Sequence, residues 1–553
     1  MLRTLFMQWP RSVNLLLLTL VGWLLATTAP SFSEEGRRIR WSQYVSHSLD
    51  TLIARGTDHY GEVHSPMLMS VLDVHTLESP PEPEEYGSLV RLEGRLHRRG
   101  ERGSNLWNDQ PTLRAMYLLS QLTEDPQYRK AADKYIAYTF EHCQSPKNLL
   151  YWGSHVHWDC FKDRPGGDRN GQGPHEILIN HAQWEEMYRI APQAVQEEID
   201  AIWQWHVHDK KTGEHNRHDD NAPGRDFSFS GGSFLTAFAF MHQATGEEHY
   251  LKKAKLVADW HYQHRDPTTH LPPEAPCLAN QKDGLYGRTF MNSITGPHTA
   301  ALLYAYELTG DQHFLDIAVS NLKAYDKYGW DNSLKTYLGM LNLDGTPTTI
   351  EDVPATMRSQ VVGYSPGDPD PEYSVPPIGP VVVWQTTIYP LEFPIASAQS
   401  AIYAYNLIEK EGGPEEKVLL RSAKRWAKVI EEHLPPIAGR TFHNTLRQKL
   451  PGLDKLGGTY AGNYGRAISF YVHLYRATDN QKYLDLATRL AKDAVEKLYV
   501  EKTFTERDGT STTYGLFRGH PAKPYYEAVD GVGLLLVALL ELDHPELQLG
   551  WAF

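Results

Sequence analysis

Eight histidines fall between Tyr151 and Asp226: His155, His157, His175, His181, His206, His208, His215 and His218. With 26 histidines in 553 residues, even usage puts about three or four in a stretch of that length. Imidazole beside carboxylate is a donor set for divalent first-row metals, and two nitrogens with one oxygen make a common open site. Glu176 follows Pro174-His175 and opens the apolar run Ile177-Leu178-Ile179. That order predicts the first turn of a helix, with the Glu176 carboxylate projecting into a cleft. On such a helix His175 lies about 100° round from Glu176, so the two do not face one ion. The zincin pattern is absent, because Ile179 stands one turn on, where a second histidine is needed. His206 and His208 lie two apart on a predicted helix and point to different sides. His155 and His157 share a face only in an extended segment. Taken alone, each histidine reads first as a hydrogen-bonded core or helix-end residue.

Charge narrows the partners. The net charge is −14, which argues against nucleic acid, since phosphate binding needs a basic face. A polyanionic substrate is compatible with a local field of the other sign. Lys162, Arg164, Arg169, Lys210, Lys211, Arg217 and Arg225 lie in or beside the histidine stretch, offset by Asp159, Asp163, Asp168, Asp209, Asp219, Asp220 and Asp226. Cys143, Cys160 and Cys277 are the three cysteines; with no CxxC spacing they exclude a structural zinc cage and allow one disulfide in an oxidising compartment. The 14 tryptophans and 31 tyrosines suit either a sugar-binding cleft or, more simply, the core of a large helical protein.

The elements that must carry the stretch are helices, and they repeat. Thr123 to Tyr128, Thr245 to Tyr250, Thr309 to Phe314 and Thr478 to Tyr483 share one pattern, an aromatic five residues after a threonine, with Ala132, Ala254, Ala318 and Ala487 nine residues after it. Each copy follows an apolar helical run. The pattern predicts helix, tight turn, helix, with the alanine allowing close packing and the aromatic closing the hairpin end. Repeated hairpins bury their apolar faces by stacking. Uneven spacing with long connections favours an all-α (α/α) toroid whose loops build a cleft at one end. Thr346 to Pro394 is dense in proline, which helices do not run through, and reads as an insertion (346–394) with a short strand or two. Residues 1–33 read as a secretory signal or an N-terminal anchor: Arg3 and Arg11, an apolar core from Leu15 to Leu25, then Ala26-Thr-Thr-Ala29. Residues 34–553 read as a single domain, exported, with no later membrane-spanning segment.

Tyr151-Trp-Gly-Ser-His155, then His175-Glu176 leading to Tyr188-Arg-Ile190, then Arg217-His218, resembles polysaccharide lyase family 2, the pectate lyases of exo- and endo-type. The similarity runs from Asp125 to Asp220. Asn216-Arg-His-Asp219 stands where the family has Gly-Arg-His-Gly, and Lys162 to Gly173 is this chain's own. The resemblance implies a sevenfold toroid, (α/α)7, with (α/α)6 as the alternative. It implies His155, Glu176 and His218 as ligands of one divalent transition metal (Mn²⁺, Co²⁺ or Ni²⁺ rather than Ca²⁺). It implies Arg217 as the base, with substrate clamp as the other role open to it. Arg225, the next cation along, is assigned to substrate binding. The reaction implied is β-elimination on 4-linked galacturonan, by a monomer acting on acidic polysaccharide. Two rival readings use the same scaffold: a glycoside hydrolase with a carboxylate pair drawn from Asp109, Asp219, Asp220 and Asp226, or a non-catalytic carbohydrate-binding protein with an aromatic platform.

Overall fold

The computed structural model describes residues 40–80, 102–177, 182–280, 284–349, 351–355, 392–408, 412–434, 457–521 and 523–553. Trp41–Phe553 forms one compact unit. Among the described residues, helix α1 (Ser42–Arg55) is followed by six helical pairs: α2 (Leu106–Thr123) with α3 (Pro126–His142), α4 (Trp184–Ile190) with α5 (Pro192–His206), α6 (Ser228–Thr245) with α7 (Glu248–Gln263), α8 (Thr299–Thr309) with α9 (Gln312–Tyr328), α10 (Glu392–Leu407) with α11 (Pro414–His433), and α12 (Ala461–Thr478) with α13 (Gln481–Leu498). Helix α14 (Val532–Asp543) comes last.

The threonine motif makes the hairpin in the way its residues suggest. Thr123, Thr245, Thr309 and Thr478 each end a helix and donate their hydroxyl to the carbonyl four residues back, at 2.7 Å. The next residue, Glu124, Gly246, Gly310 or Asp479, takes the left-handed conformation that stops a helix. The partner helix starts after one further residue, and Asp125, Asp311 and Asn480 cap it with their side chains. Tyr128, Tyr250, Phe314 and Tyr483 are buried at the closed end, and the four alanines are fully buried between the helices.

Patterning sorts the helices into two layers. Along α6 every residue from Ser228 to Met241 is buried, and along α14 every residue from Val532 to Leu542. In α13 only a stripe is buried, Tyr483, Leu486, Ala487, Leu490, Ala491, Ala494 and Leu498. A helix apolar all round needs neighbours on every side, and a striped one needs a core on one side only. Accordingly α8, α10, α12 and α14 pack side by side, α6 packs on α8, and α14 returns to α2. Gln183, at the start of α4, hydrogen-bonds Gln110 of α2 through both backbone and side chain, and α4 in turn packs on α6. Among the described residues the ring has seven inner helices, and α1 packs on α14 as the outer member of the seventh pair. The chain is an all-α toroid.

Ring closure depends on glycine. A side chain at Gly533 would collide with the backbone of Pro111 and Thr112, and one at Gly465 would lie 2.6 Å from the backbone of Leu534 and Leu535. Backbone on the far side of such a contact cannot rotate away. Gly533→Ala is therefore expected to destabilise the protein by about 1–3 kcal/mol through overpacking, read as a lowered denaturant midpoint; an unchanged midpoint contradicts the close approach of α14 to α2.

The inner-to-outer turns are tight and the outer-to-inner connections are long, so one end of the ring carries the loops. Short antiparallel sheets form there and on the outside: β1 (Val71–Asp73), β2 (Gly103–Ser104), β3 (Val156–Asp159), β4 (Arg164–Gly167), β5 (Tyr499–Thr505), β6 (Ser511–Phe517) and β7 (Tyr525–Glu527), paired as β1–β7, β2–β3–β4 and β5–β6. The sequence reading put strands only in 346–394; most of that segment lies outside the described residues, as do residues 1–33. Its C-terminal boundary is corrected. α10 already runs from Glu392, with Pro394 in the first turn, where a missing N–H costs nothing. The three cysteines are free thiols. Trp152, Trp184 and Trp426 are fully buried, as the simpler reading of the aromatics expects. No helix among the described residues is long and apolar enough to cross a membrane.

Candidate metal centre

Three extended segments meet at the loop end of the ring. Gly153 pairs in parallel with Glu176, and Glu176 pairs antiparallel with His218. Residues paired across strands project to the same face, and so do residues two apart on one strand. His155, Glu176 and His218 therefore share a face, and His175, one residue off, turns into the core. Gly153 has φ +98°, and a side chain there would run into the Glu176 carbonyl. Asn105, just ahead of α2, holds Gly153 from the other side, donating to its carbonyl (2.7 Å) and accepting from its N–H (3.0 Å).

This corrects the local reading of Glu176. It stands on a strand-like rung and not in the first turn of a helix. The helix expected after it begins at Trp184 and ends at Ile190 as read. His206 closes α5, and His208 lies beyond the helix.

The donors converge. His155 Nε2 is 3.0 Å from Glu176 Oε2, and His218 Nε2 is 3.2 Å from Glu176 Oε1. One ligand atom from each residue lies within 4.8 Å of the others. For bonds of about 2.0–2.2 Å, neighbouring donors round one ion stand roughly 3–3.5 Å apart; the two histidine–glutamate separations fall in that range, so these residues could hold a small divalent cation. Glu176 Oε1 and His218 Nε2 are buried, and neither makes an aligned hydrogen bond among the described residues; buried polar atoms of this kind call for a partner. Arg217 Nε lies 2.8 Å from Glu176 Oε1, with its guanidinium 4.9 Å over the Phe227 ring.

Electrostatics favour the ligand form. Burial alone would raise the Glu176 pKa, but the Arg217 charge and the His155 hydrogen bond outweigh it and hold the carboxyl well below its usual range. Burial lowers the His218 pKa, so its ring is neutral near pH 7. His155 Nδ1 is 3.0 Å from Asp168 Oδ2. A carboxylate there accepts a hydrogen bond from Nδ1–H, so that Nε2 is the nitrogen that would offer its lone pair to a cation, as metal-bound histidines commonly require. Arg225 Nη1 is 3.2 Å from His218 Nδ1. Arginine only donates, so this contact makes Nδ1 the acceptor and puts the proton on Nε2. A cation at Nε2 needs the other tautomer, with Arg225 off the ring.

The four aspartates of the hydrolase reading are engaged elsewhere. Asp109 accepts from Ser70, Tyr135 and the Asn105 N–H, and burial pushes its pKa up to about 7. Asp219 pairs with Lys147 at 2.7 Å. Asp220 accepts from Asn216 at 2.8 Å, and Asp226 accepts from the Trp260 indole at 2.7 Å. Sequence reasoning listed Asp168 only as a surface charge and missed Asn105. The hairpin signal Arg164-Pro-Gly-Gly167 after a β-rich run could have found the first, because the β3–β4 pairing is what returns Asp168 to His155.

Residues 97–231 match the family model described as periplasmic pectate lyase, which agrees with the resemblance carried by residues 151–218. Among solved structures, the chain is similar to cellobiose 2-epimerase from Bacillus thermoamylovorans at 11% identity, over 92% of this chain and 98% of that one, with a TM-score of 0.43. It is also similar to a family 76 glycoside hydrolase from a bovine Bacteroides thetaiotaomicron strain at 14% identity, over 92% and 79%, with a TM-score of 0.44.

Proposed function

We propose that this chain is a polysaccharide lyase that cleaves 4-linked galacturonan by metal-assisted β-elimination and leaves an unsaturated uronate end. The observation that carries the reading is the convergence of His155, Glu176 and His218 on one point beside Arg217, inside the stretch that matches the pectate lyase model. That match supports an enzyme acting on polysaccharide.

The three residues would hold a divalent transition metal, whose chemistry there is Lewis-acid neutralisation of the uronate carboxylate, so that the charge left at C5 is delocalised. Glu176 supplies one negative charge and its ion pair keeps it ionised at neutral pH. Asp168 orients His155. Arg217 takes the C5 proton; the C5–H electrons become the C4=C5 bond, and the C4–O bond breaks with its pair on the departing sugar. As a base Arg217 must first lose its own proton, which an arginine paired with Glu176 holds firmly. A cation held by Glu176 would draw on that counter-charge and stand beside Arg217, and both would favour the neutral guanidine. Arg225, about half exposed, leaves His218 Nδ1 and becomes available to a substrate carboxylate. The N-terminal residues and the periplasmic character of the matched family support export.

Full-length protein incubated with polygalacturonate and Mn²⁺ is expected to generate the ultraviolet absorbance of a C4=C5 double bond. Reducing ends without that absorbance mean hydrolysis, and binding with neither product means a carbohydrate-binding protein; each replaces the lyase reading.

A further inference from the structure

Behind the donor face a single file of hydrogen bonds crosses the core. The Trp152 indole N–H donates to His175 Nε2 at 2.7 Å. His175 Nδ1 lies 2.8 Å from His206 Nε2, and His206 Nδ1 lies 3.0 Å from the Asn216 carbonyl. The two ends fix the direction. An indole can only donate and a carbonyl can only accept. With the indole N–H on its Nε2, His175 carries its proton on Nδ1, and His206 likewise; the buried Glu198 carboxylate stands 3.7 Å from the same Nε2. Trp152, His206 and Asn216 are essentially solvent-free, and His175 is nearly so.

The file touches each segment that carries a donor. Trp152 is next to Gly153 and three residues before His155. His175 precedes Glu176. Asn216 precedes Arg217 and accepts the His218 N–H on its side chain at 2.9 Å. The His175 N–H also donates to Asp219 at 2.9 Å, fastening the far side of His218. Isolated one-rung bridges between three loops are weak constraints by themselves. We propose that His206, acting with His175, is a positioning residue: the imidazole pair sets the spacing of the His155, Glu176 and Arg217-His218 segments and so the metal affinity and turnover of the centre. This rests on the metal reading above and extends it to residues that touch neither cation nor substrate.

The test is Co²⁺ affinity of the full-length protein by calorimetry, with the visible absorption of bound Co²⁺ as a report of ligand geometry. Three substitutions divide the link. His206→Phe keeps the ring and loses both nitrogens. His206→Gln keeps a group at the Nε2 position for His175, and His206→Asn keeps one at the Nδ1 position for Asn216. Partners that orient metal ligands typically contribute about 10–100-fold in affinity. His206→Phe is expected to lose about tenfold and to alter the Co²⁺ spectrum, with Gln and Asn recovering part of the loss. If Phe does not fold, the Gln and Asn variants carry the comparison. Affinity and spectrum equal to the parent in the folded variants, with only a lower melting temperature, overturn the proposal. Glu176→Ala is the control: if it binds Co²⁺ as the parent does, the metal reading itself fails, whatever His206 does.

Discussion

Removing divalent metal with a chelator is expected to abolish polygalacturonate cleavage, and Mn²⁺, Co²⁺ or Ni²⁺ to restore it where Ca²⁺ does not. The candidate centre offers two imidazole nitrogens and one carboxylate with donor separations near 3 Å. Ca²⁺ takes six to eight oxygens at about 2.3–2.6 Å and has little affinity for imidazole. First-row transition ions accept nitrogen donors and a smaller cage. The measurement is initial rate against added metal after exhaustive chelation. Full recovery in Ca²⁺ alone would contradict the proposed ligands, and so would full activity in the chelated protein. The surrounding residues make the distinction sharper. Asp168 is already engaged by His155, and Asp219 by Lys147, so neither is a spare oxygen for a larger ion.

The hairpins were legible in the sequence because their physics is local. A threonine bonding back to its own helix, a left-handed residue, a capping residue and a buried alanine all act within nine positions, so one window contains the cause. The ring was read from the uneven spacing of the hairpins and their long connections, and the enclosure of α6 and α14, apolar all round, agrees with it. Glu176 shows where local reasoning ends. Pro174 and the apolar Ile177-Leu178-Ile179 are helix-start signals, and the backbone of Glu176 instead pairs with Gly153 and His218. Those partners lie dozens of residues away on either side, and their pull overrides a weak local preference. The shared face of His155, Glu176 and His218 comes from that pairing. It was reachable from sequence only through resemblance, because no helical or strand periodicity links residues so far apart. Asn105 was invisible for the same reason: its role, mimicking a strand edge beside Gly153, has no signature of its own.

Arg217→Lys is expected to lower kcat about 10²–10⁴-fold while leaving metal affinity near that of the parent. That range is what a positioned general base contributes. Arg217 is held in one orientation by three contacts: its backbone N–H on the Arg225 carbonyl at 3.1 Å, its Nε on Glu176 at 2.8 Å, and its guanidinium over Phe227. Lysine keeps the charge but has neither the fork nor the plane, so it cannot reproduce contacts made in two directions at once. The companion variant His218→Ala should behave in the opposite way. It removes a ligand, so metal affinity falls, and excess metal should recover part of the rate. Steady-state kinetics at saturating metal separate the two roles open to Arg217. Loss confined to kcat means that the interaction is made in the transition state, as a base requires; a raised KM with kcat intact means uniform binding, as a carboxylate clamp would give. The paired contact with Glu176 fits either role in the resting protein, because a guanidinium that later sheds its proton and one that keeps it both begin as the cation. The base assignment is abandoned if Arg217→Lys changes KM alone, and the whole site is abandoned if both variants bind metal and turn over substrate like the parent.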